Sequence, residues 1–274
     1  MMKKTILITG ATDGIGLVTA TMLAEQGHHV LIHGRSTEKL AALKAQLESL
    51  TVDGERAVTV SSYQADLSKL TDVALMAAQI KTERTSIDVV INNAGVFHTP
   101  ETMTADGFDM RFMVNTFSPY LLTKLLLPLM KGNGRVVNLS SAAQAPVNVQ
   151  GMVAGDHLTD NAAYAQSKLA ITMWTNALAA QRSDNEPLYV AINPKSFLGS
   201  KMVKEAYGVA GGDLRLGADI LVRAALSDEF NDANGQYFDN DNECFASPHP
   251  DALDERKCHL LAGELEKLVS DFLS

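Results

Sequence analysis

The stretch Thr9-Gly10-Ala11-Thr12-Asp13-Gly14-Ile15-Gly16 decides the fold, because it joins a short apolar run at 5–9 to a helical pattern at 17–26. Its three glycines let the backbone turn tightly and approach a ligand without Cβ clashes. The helix N-terminus that follows offers free N–H groups and a positive dipole end to a pyrophosphate. The G-x-x-x-G-x-G spacing therefore predicts a dinucleotide-phosphate site, with a plain strand-to-helix turn as the alternative.

Short apolar runs alternate with amphipathic stretches along the rest of the chain. In the clearest stretch, Leu40, Leu43, Leu47 and Leu50 recur at spacings of three and four. The six further runs lie at 30–33, 57–61, 87–91, 135–139, 188–192 and, more weakly, 236–238. This alternation predicts an α/β fold: a doubly wound, Rossmann-type, mostly parallel seven-stranded sheet with helices on both faces. We expect one domain over 1–274, since no Pro-, Gly- or Ser-rich linker divides the chain.

Two long segments interrupt the rhythm, at 142–161 and 195–213. Both follow strand ends on the carboxyl edge of the predicted sheet, where open α/β sheets bind ligands, so we expect substrate loops. In the second, Met202, Val203, Ala206 and Tyr207 have helical spacing. We expect a short helix there that closes as a lid, with hinges at glycines 199, 208, 211 and 212. A rigid surface connection is the alternative.

Composition excludes several function classes. The 274 residues are 46% hydrophobic and carry a formal net charge of −9, which argues against nucleic acid and against an anionic membrane surface as partners. No stretch approaches the ~20 apolar residues of a membrane span. The two cysteines, Cys244 and Cys258, have neither metal-ligand nor C-x-x-C spacing. We expect no metal site and a cytoplasmic location, and the sequence leaves a homo-oligomer open. His98 and His157 are interpreted as solvated loop histidines.

The residues at the end of the second strand indicate which cofactor the chain prefers. An acidic residue there would accept from the ribose 2′-hydroxyl and repel a 2′-phosphate. The chain instead has Gly34 and Arg35, and a guanidinium binds phosphate bidentately. We therefore expect NADP (NADPH) rather than NAD, with an exposed surface arginine as the alternative. Asp13, in the glycine turn, would oppose a nearby 2′-phosphate.

Five motifs together resemble those of the short-chain dehydrogenase/reductase family, and they occur in that family's order. They are T-G-x-x-x-G-I-G at 9–16, Asn92-Asn93-Ala94-Gly95, Asn115, Ser140-Ser141, and Tyr164-Ala165-Gln166-Ser167-Lys168. The likeness covers essentially the whole chain. The interval from Ser141 to Tyr164 and the helical pattern at 260–273 most resemble the retinol-dehydrogenase-like and bacterial ketoreductase branch.

The resemblance implies roles for residues of this chain. Lys168 would hold the nicotinamide ribose, Asn115 would order a water that links Lys168 to solvent, and Asp66 with Leu67 would contact adenine. The implied catalytic residues are Asn115, Ser141, Tyr164 and Lys168. The implied cofactor contacts are Gly10, Thr12, Asp13, Gly14, Ile15, Gly16, Arg35, Asp66, Leu67, Asn93, Ala94, Gly95, Tyr164, Lys168 and Pro194.

The physical chemistry of these residues agrees with that implication. Tyr164 and Lys168 are four residues apart on a predicted helix and so share a face. A phenol titrates near ~10, and a nearby ammonium favours the phenolate. Tyr164 can then exchange a proton with a carbonyl or alcohol oxygen, while Ser141 hydrogen-bonds the same oxygen. The expected substrate is a small carbonyl or alcohol compound, lipophilic or aromatic in view of the apolar loop residues.

Two other functions stay open at this point. One is a catalytically silent NADP(H)-binding sensor, although the complete proton relay argues against it. The other is a sugar-nucleotide epimerase or dehydratase, although these usually have another glycine spacing and a larger C-terminal substrate domain. One departure from the family pattern also matters. Lys195 follows Pro194 where many members have glycine, so we expect either a strained backbone or an altered loop path.

Overall fold

The structure is a computed structural model that describes residues 2–51 and 58–273. Its strands are β1 Thr5–Ile8, β2 His29–Gly34, β3 Thr59–Gln64, β4 Val89–Asn92, β5 Arg135–Leu139, β6 Leu188–Asn193, β7 Gln236–Asp239 and β8 Cys244–Ala246. They form one sheet in the order β3-β2-β1-β4-β5-β6-β7-β8. The first seven strands are parallel, and only β8 runs antiparallel, against β7. The predicted doubly wound parallel sheet is confirmed.

Two details of the strand prediction differ from the structure. The sheet has eight strands where seven were predicted, because β8 has three residues and a largely exposed pattern that no periodicity marks. The third strand was predicted at 57–61 but occupies Thr59–Gln64. Residue 57 lies outside the described residues.

The helices cover both faces of the sheet. They are α1 Gly14–Glu25, α2 Thr37–Glu48, α3 Leu70–Glu83, α4 Met110–Phe112, α5 Ser118–Leu126, α6 Val149–Ala154, α7 Asp160–Gln181, α8 Lys201–Tyr207, α9 Leu214–Leu226, α10 Pro250–Leu253 and α11 Glu255–Leu273. A π-helical turn, Met113–Phe117, joins α4 to α5. Within the described ranges, no helix is long and apolar enough to cross a membrane.

The alternation of side chains along the strands creates two apolar cores. In β1, Ile6 and Ile8 face the layer of α1, α2 and α9, whereas Leu7 faces the layer of α3, α5, α7 and α11. Trp174 of α7 is fully buried in the second of these cores. Parallel strands covered on both faces in this way are apolar throughout, which is why β4 reads Val-Val-Ile before its terminal Asn92.

The strand order places the ligand crevice. The chain moves outward from β1 through β2 to β3, and then returns to β4 on the other side of β1. The loops after β1 and β4 therefore leave the sheet in opposite directions and open a crevice at its carboxyl edge, the usual ligand position in such sheets. The residues selected from the sequence cluster at this edge.

Candidate active site

The turn after β1 requires glycine at three positions. Gly10 and Gly14 have φ of +66° and +55°, the left-handed region that side chains disfavour. At Gly16, a Cβ would lie 2.2 Å from the Gly10 carbonyl oxygen. In front of Gly14 the nearest atom to an added Cβ is Ser200 Cβ, at 3.9 Å. The backbone at Gly14 is therefore uncrowded, and a glycine turn that leads into a helix N-terminus fits a dinucleotide phosphate.

Side chains from β1 and β4 hold this turn in place. The Thr9 hydroxyl accepts from the Asn93 and Ala94 N–H groups, both at 3.0 Å. The Asn93 side-chain amide donates to the carbonyls of Thr9 at 2.8 Å and Gly10 at 3.3 Å. The Asn93 amide therefore shapes the turn from behind, while Gly95 lies against Asn115 and Lys168.

His33 is a further support that the sequence analysis did not identify. It is buried at the end of β2, where its Nδ1 accepts from the Gly10 N–H at 3.2 Å and its Nε2 donates to the Ala65 carbonyl at 3.1 Å. These partners require the neutral imidazole with its proton on Nε2. Burial lowers the pKa of His33 to about 4, in agreement with that neutral form. His33 thus joins the glycine turn to the end of β3.

The residues expected near the 2′-position lie beside the same turn. Arg35 is exposed at the end of β2. Gly34 precedes it, and a Cβ there would lie 2.8 Å from Thr12 Cγ2. The Asp13 carboxylate accepts from the Gly14 N–H at 2.8 Å and caps α1. This contact commits one carboxylate oxygen of Asp13 to the helix end.

Asp66 and Leu67 follow β3, one strand further from the centre. The Asp66 carboxylate accepts from the Ser68 N–H at 3.0 Å. Leu67 is buried, and its carbonyl accepts from the Ser118 hydroxyl at 2.6 Å. This pair is therefore fixed at the crevice edge by local and long-range hydrogen bonds.

Helix α7 brings Tyr164 and Lys168 together. The helix begins after Thr159, whose hydroxyl accepts from the Ala162 N–H. Lys168 is buried, its ammonium donates to the Leu139 carbonyl at 2.8 Å, and its Nζ lies 5.7 Å from the Tyr164 ring centroid. Burial lowers the pKa of Lys168 to about 8. At neutral pH the group remains mostly a cation, close enough to Tyr164 to favour the phenolate.

The two serines after β5 have different surroundings. Ser141 is half-buried, and its hydroxyl accepts from the Ala143 N–H at 3.1 Å. Ser140 is buried, donates to the Lys168 carbonyl at 2.8 Å and contacts the Thr172 hydroxyl at 2.7 Å. Ser140 therefore joins β5 to α7 at the level of Lys168, whereas Ser141 bonds the start of the loop that follows β5.

Asn115 lies in the π-helical turn, a feature often found at functional sites. Its side chain accepts from the Val96 N–H at 2.8 Å and donates to the Val96 carbonyl at 3.0 Å. Its amide also donates to the Ser167 hydroxyl at 3.0 Å. Asn115 thereby connects the loop after β4 to α7, and its side chain is already occupied by protein partners.

Beyond β6, Pro194 lies at the crevice and Lys195 has a φ of 114°. Of the two outcomes expected for a residue in place of glycine, the chain adopts the strained backbone. The Lys195 ammonium donates to the Asn240 carbonyl at 3.3 Å and lies 4.0 Å from Glu243. The Pro194 carbonyl accepts from the Asn240 amide at 2.9 Å. The loop after β7 therefore holds this unusual conformation.

The two expected substrate loops differ in how they pack. In 142–161, Met152 is buried, while Val147, Val149 and Val153 pack against the core formed with α3, α5, α7 and α11. In 195–213, the expected short helix is present as α8, between the Ser200 cap and Gly208. Of the four residues predicted on its apolar face, Met202 and Val203 are half-buried, and the side chains of residues 206 and 207 lie outside the described residues.

Three of the four glycines predicted as hinges, Gly199, Gly211 and Gly212, lie where two backbone segments come together at the base of the second loop. The Gly199 N–H donates to the Gly212 carbonyl at 2.7 Å, and the Gly212 N–H donates to the Phe197 carbonyl at 2.8 Å. A Cβ on Gly211 would lie 2.5 Å from Gly199 Cα. Glycine is thus required here for the close approach of two backbone segments.

A group of charged residues beside Tyr164 was not selected from the sequence. Asp160, four residues before Tyr164, pairs with the buried Arg111 and with His98. Phe97 packs edge-on against both Tyr164 and His98, with centroid distances of 4.9 and 4.6 Å. His98 was expected to be a solvated loop residue; it is exposed but bound to Asp160. The four-residue spacing from Asp160 to Tyr164 was the available signal.

The comparisons with known proteins agree with this geometry. The family model described as short chain dehydrogenase matches residues 4–207. Human retinol dehydrogenase 13 is 32% identical over 97% of this chain and 84% of its own length. Human polyprenol dehydrogenase is 31% identical over 88% and 78%. A crystal structure of an uncharacterised protein from Mycobacterium paratuberculosis has a TM-score of 0.78, 27% identity, and coverage of 97% of this chain and 93% of that one. The chain therefore belongs to the short chain dehydrogenase family, and most resembles its retinol-dehydrogenase-like branch.

Proposed function

We propose that this protein is an NADP(H)-dependent oxidoreductase that transfers a hydride between the nicotinamide and a carbonyl or alcohol substrate. The observation that carries the proposal is the buried Lys168, whose ammonium lies 5.7 Å from the Tyr164 ring. A buried cation beside a half-buried phenol is costly as a purely structural arrangement. It is well suited to a group that must gain and lose a proton.

The chain's own residues supply the proton transfer. When bound, the nicotinamide supplies or accepts the hydride. The Tyr164 hydroxyl donates its proton to the substrate oxygen during reduction and accepts it back during oxidation. Lys168 stabilises the negative charge that Tyr164 carries in between. The Ser141 hydroxyl donates a hydrogen bond to the same substrate oxygen as its charge develops.

The surroundings of Arg35 support NADP(H) as the cofactor. Arg35 is exposed at the end of β2, directly beside the glycine turn. No acidic residue ends β2, and the nearby Asp13 has one oxygen engaged in capping α1. The Arg35 guanidinium could therefore bind a 2′-phosphate on the adenosine ribose.

The substrate that we propose is lipophilic or aromatic. The nearly buried Phe97 packs against Tyr164, and Met202 and Val203 lie half-buried in the second loop. Two relatives are named for lipophilic alcohols, retinol and polyprenol. We propose that segments 142–161 and 195–213 bound this substrate site within one dinucleotide-binding domain.

The test is consumption of NADPH with a panel of aliphatic, aromatic and polyenic aldehydes and ketones, with Tyr164→Phe as the matched variant. We expect turnover by the wild type and a loss of about 10²- to 10⁴-fold in the variant, which lacks the proton donor. NADPH affinity should change little. A variant with more than a tenth of the wild-type kcat would contradict the role of Tyr164. Binding of NADPH without turnover on any substrate would instead favour a sensor.

A further inference from the structure

The buried side chain of Arg111 lies between two carboxylates close to the catalytic helix. It is 0% exposed. Its Nη2 donates to Asp109 Oδ2 at 2.8 Å, and its Nη1 lies 3.0 Å from Asp160 Oδ1. Asp109 also caps α4, whereas Asp160 belongs to the first turn of α7. Arg111 therefore connects the segment that contains Asn115 to the helix that contains Tyr164.

Asp160 adds a third element to this connection. Its other carboxylate oxygen contacts His98 Nδ1, in the loop after β4. The neighbouring Phe97 packs its ring against Tyr164. One carboxylate thus joins the loop after β4, the turn before the π-helical segment, and the helical turn that precedes Tyr164. Asn115, in the π-helical segment, likewise joins the loop after β4 to α7, but one turn further along the helix, at Ser167.

Stability alone is a poor reason for this arrangement. A buried ion pair often stabilises a protein no more than apolar side chains of the same volume. The arrangement is also incompletely satisfied: among the described residues, Nε and Nη1 of Arg111 have no aligned hydrogen-bond partner. A buried ion pair that adds little stability can still specify how the elements it joins lie relative to each other.

We propose that the Arg111–Asp160 ion pair is a positioning device for proton transfer. It fixes the first turn of α7, and with it the Tyr164 hydroxyl, relative to the Asn115 segment. Neither side chain contacts substrate or cofactor in this role. The inference rests on the proposed function, because it assumes that Tyr164 is the proton donor.

The variants that test this proposal are Asp160→Asn and Asp160→Ala. Asp160 is 35% exposed at its side chain, so the protein should tolerate its loss better than that of the buried Arg111. Glu229→Gln is the matched control. Like Asp160, Glu229 lies in the first turn of a helix, the short 3-10 helix Asp228–Phe230, and its carboxylate pairs with the Arg223 guanidinium at 2.8 Å. This helix precedes β7, at the amino ends of the strands and away from Tyr164.

We expect Asp160→Ala to lower kcat about 10- to 100-fold, since a displacement of about 1 Å costs this much. NADPH affinity should stay within twofold of wild type, and the solvent isotope effect on kcat should rise as proton transfer becomes limiting. Asp160→Asn should show the same pattern more weakly. Glu229→Gln should match the wild type in all three measurements, with rates normalised to the fraction of enzyme that binds NADPH.

Three results would overturn the proposal. The first is a normalised kcat within twofold of wild type in Asp160→Ala. The second is a lower kcat with an unchanged solvent isotope effect, which indicates a general structural defect. The third is a raised KM with unchanged kcat, which makes the His98–Asp160 pair a substrate contact. Tyr164→Phe is measured in parallel to separate these outcomes from failure of the proposed function. An active Tyr164→Phe variant would refute the role of Tyr164 as proton donor, on which this inference rests.

Discussion

The glycine turn at 9–16 and the loop at 195–213 both leave the carboxyl edge of the sheet but are built differently. The buried His33 and the half-buried Asn93 bond the backbone of the turn, and the buried Thr9 hydroxyl accepts from the Ala94 N–H in the loop after β4. The loop is joined at its base by Gly199 and Gly212, but the described side chains at 201–205 and residues 208–213 are half-buried or exposed. A fixed backbone suits a phosphate that is always the same, whereas an exposed helix can repack around a variable substrate.

The largest effect should come from filling the rigid turn. Gly16→Ala places a Cβ 2.2 Å from the Gly10 carbonyl oxygen and 2.4 Å from the Asn93 amide. Because both neighbours hold the turn, we expect at least a hundredfold loss of NADPH affinity, measured by fluorescence titration, or loss of the folded protein in a thermal melt.

The matched control is Gly263→Ala in α11, where nothing lies within 4 Å of the added Cβ. Alanine favours the helix there by up to about 1 kcal/mol. We expect wild-type NADPH binding and equal or higher stability. Binding by Gly16→Ala within threefold of wild type would show that the turn adapts as the loop does.

A smaller effect is expected at the exposed rim of the turn. Charge-assisted contacts to phosphate stabilise binding by about 1.5–3 kcal/mol. Arg35→Ala should therefore raise the Kd for NADPH tenfold or more and barely change that for NADH. Equal losses for the two cofactors would refute the assignment of Arg35 to the 2′-phosphate.

The loop should differ from the turn in hydrogen exchange. We expect the α8 amides to exchange fast in the free enzyme and at least about tenfold more slowly with NADP and a substrate analogue. The amides of Gly199 and Gly212 are hydrogen-bonded in the base of the loop and should be protected in both states. Slow exchange of α8 in the free enzyme, unchanged by ligand, would exclude a lid.

The smallest effect concerns the strained residue where the loop begins. Lys195 has a φ of 114°, and glycine adopts such a conformation without the Cβ penalty. Lys195→Ala removes the contacts with Asn240 and Glu243 but keeps the strain, whereas Lys195→Gly removes both. The free energy of unfolding of Lys195→Gly, measured by urea denaturation, should exceed that of Lys195→Ala by about 1 kcal/mol. Equal stabilities would mean that the backbone relaxes when the side chain is removed.

The sequence by itself determined the features that depend on neighbours along the chain. Periodic apolar residues predicted the alternation of strands and helices, because side-chain direction repeats within each element. The glycine spacing at 10, 14 and 16 predicted the turn, and the four-residue spacing of Tyr164 and Lys168 predicted a shared helix face. Each of these patterns is complete within a few residues.

Only the tertiary structure decided how residues distant in the chain meet. His33 supports Gly10 from 23 positions away, and Asn240 bonds Lys195 from 45. The pairing of Arg111 with Asp160 likewise leaves no periodic trace in the sequence. Such contacts arise from the packing of layers around the sheet. A single sequence records the residues that make them but does not record which of those residues are neighbours in space.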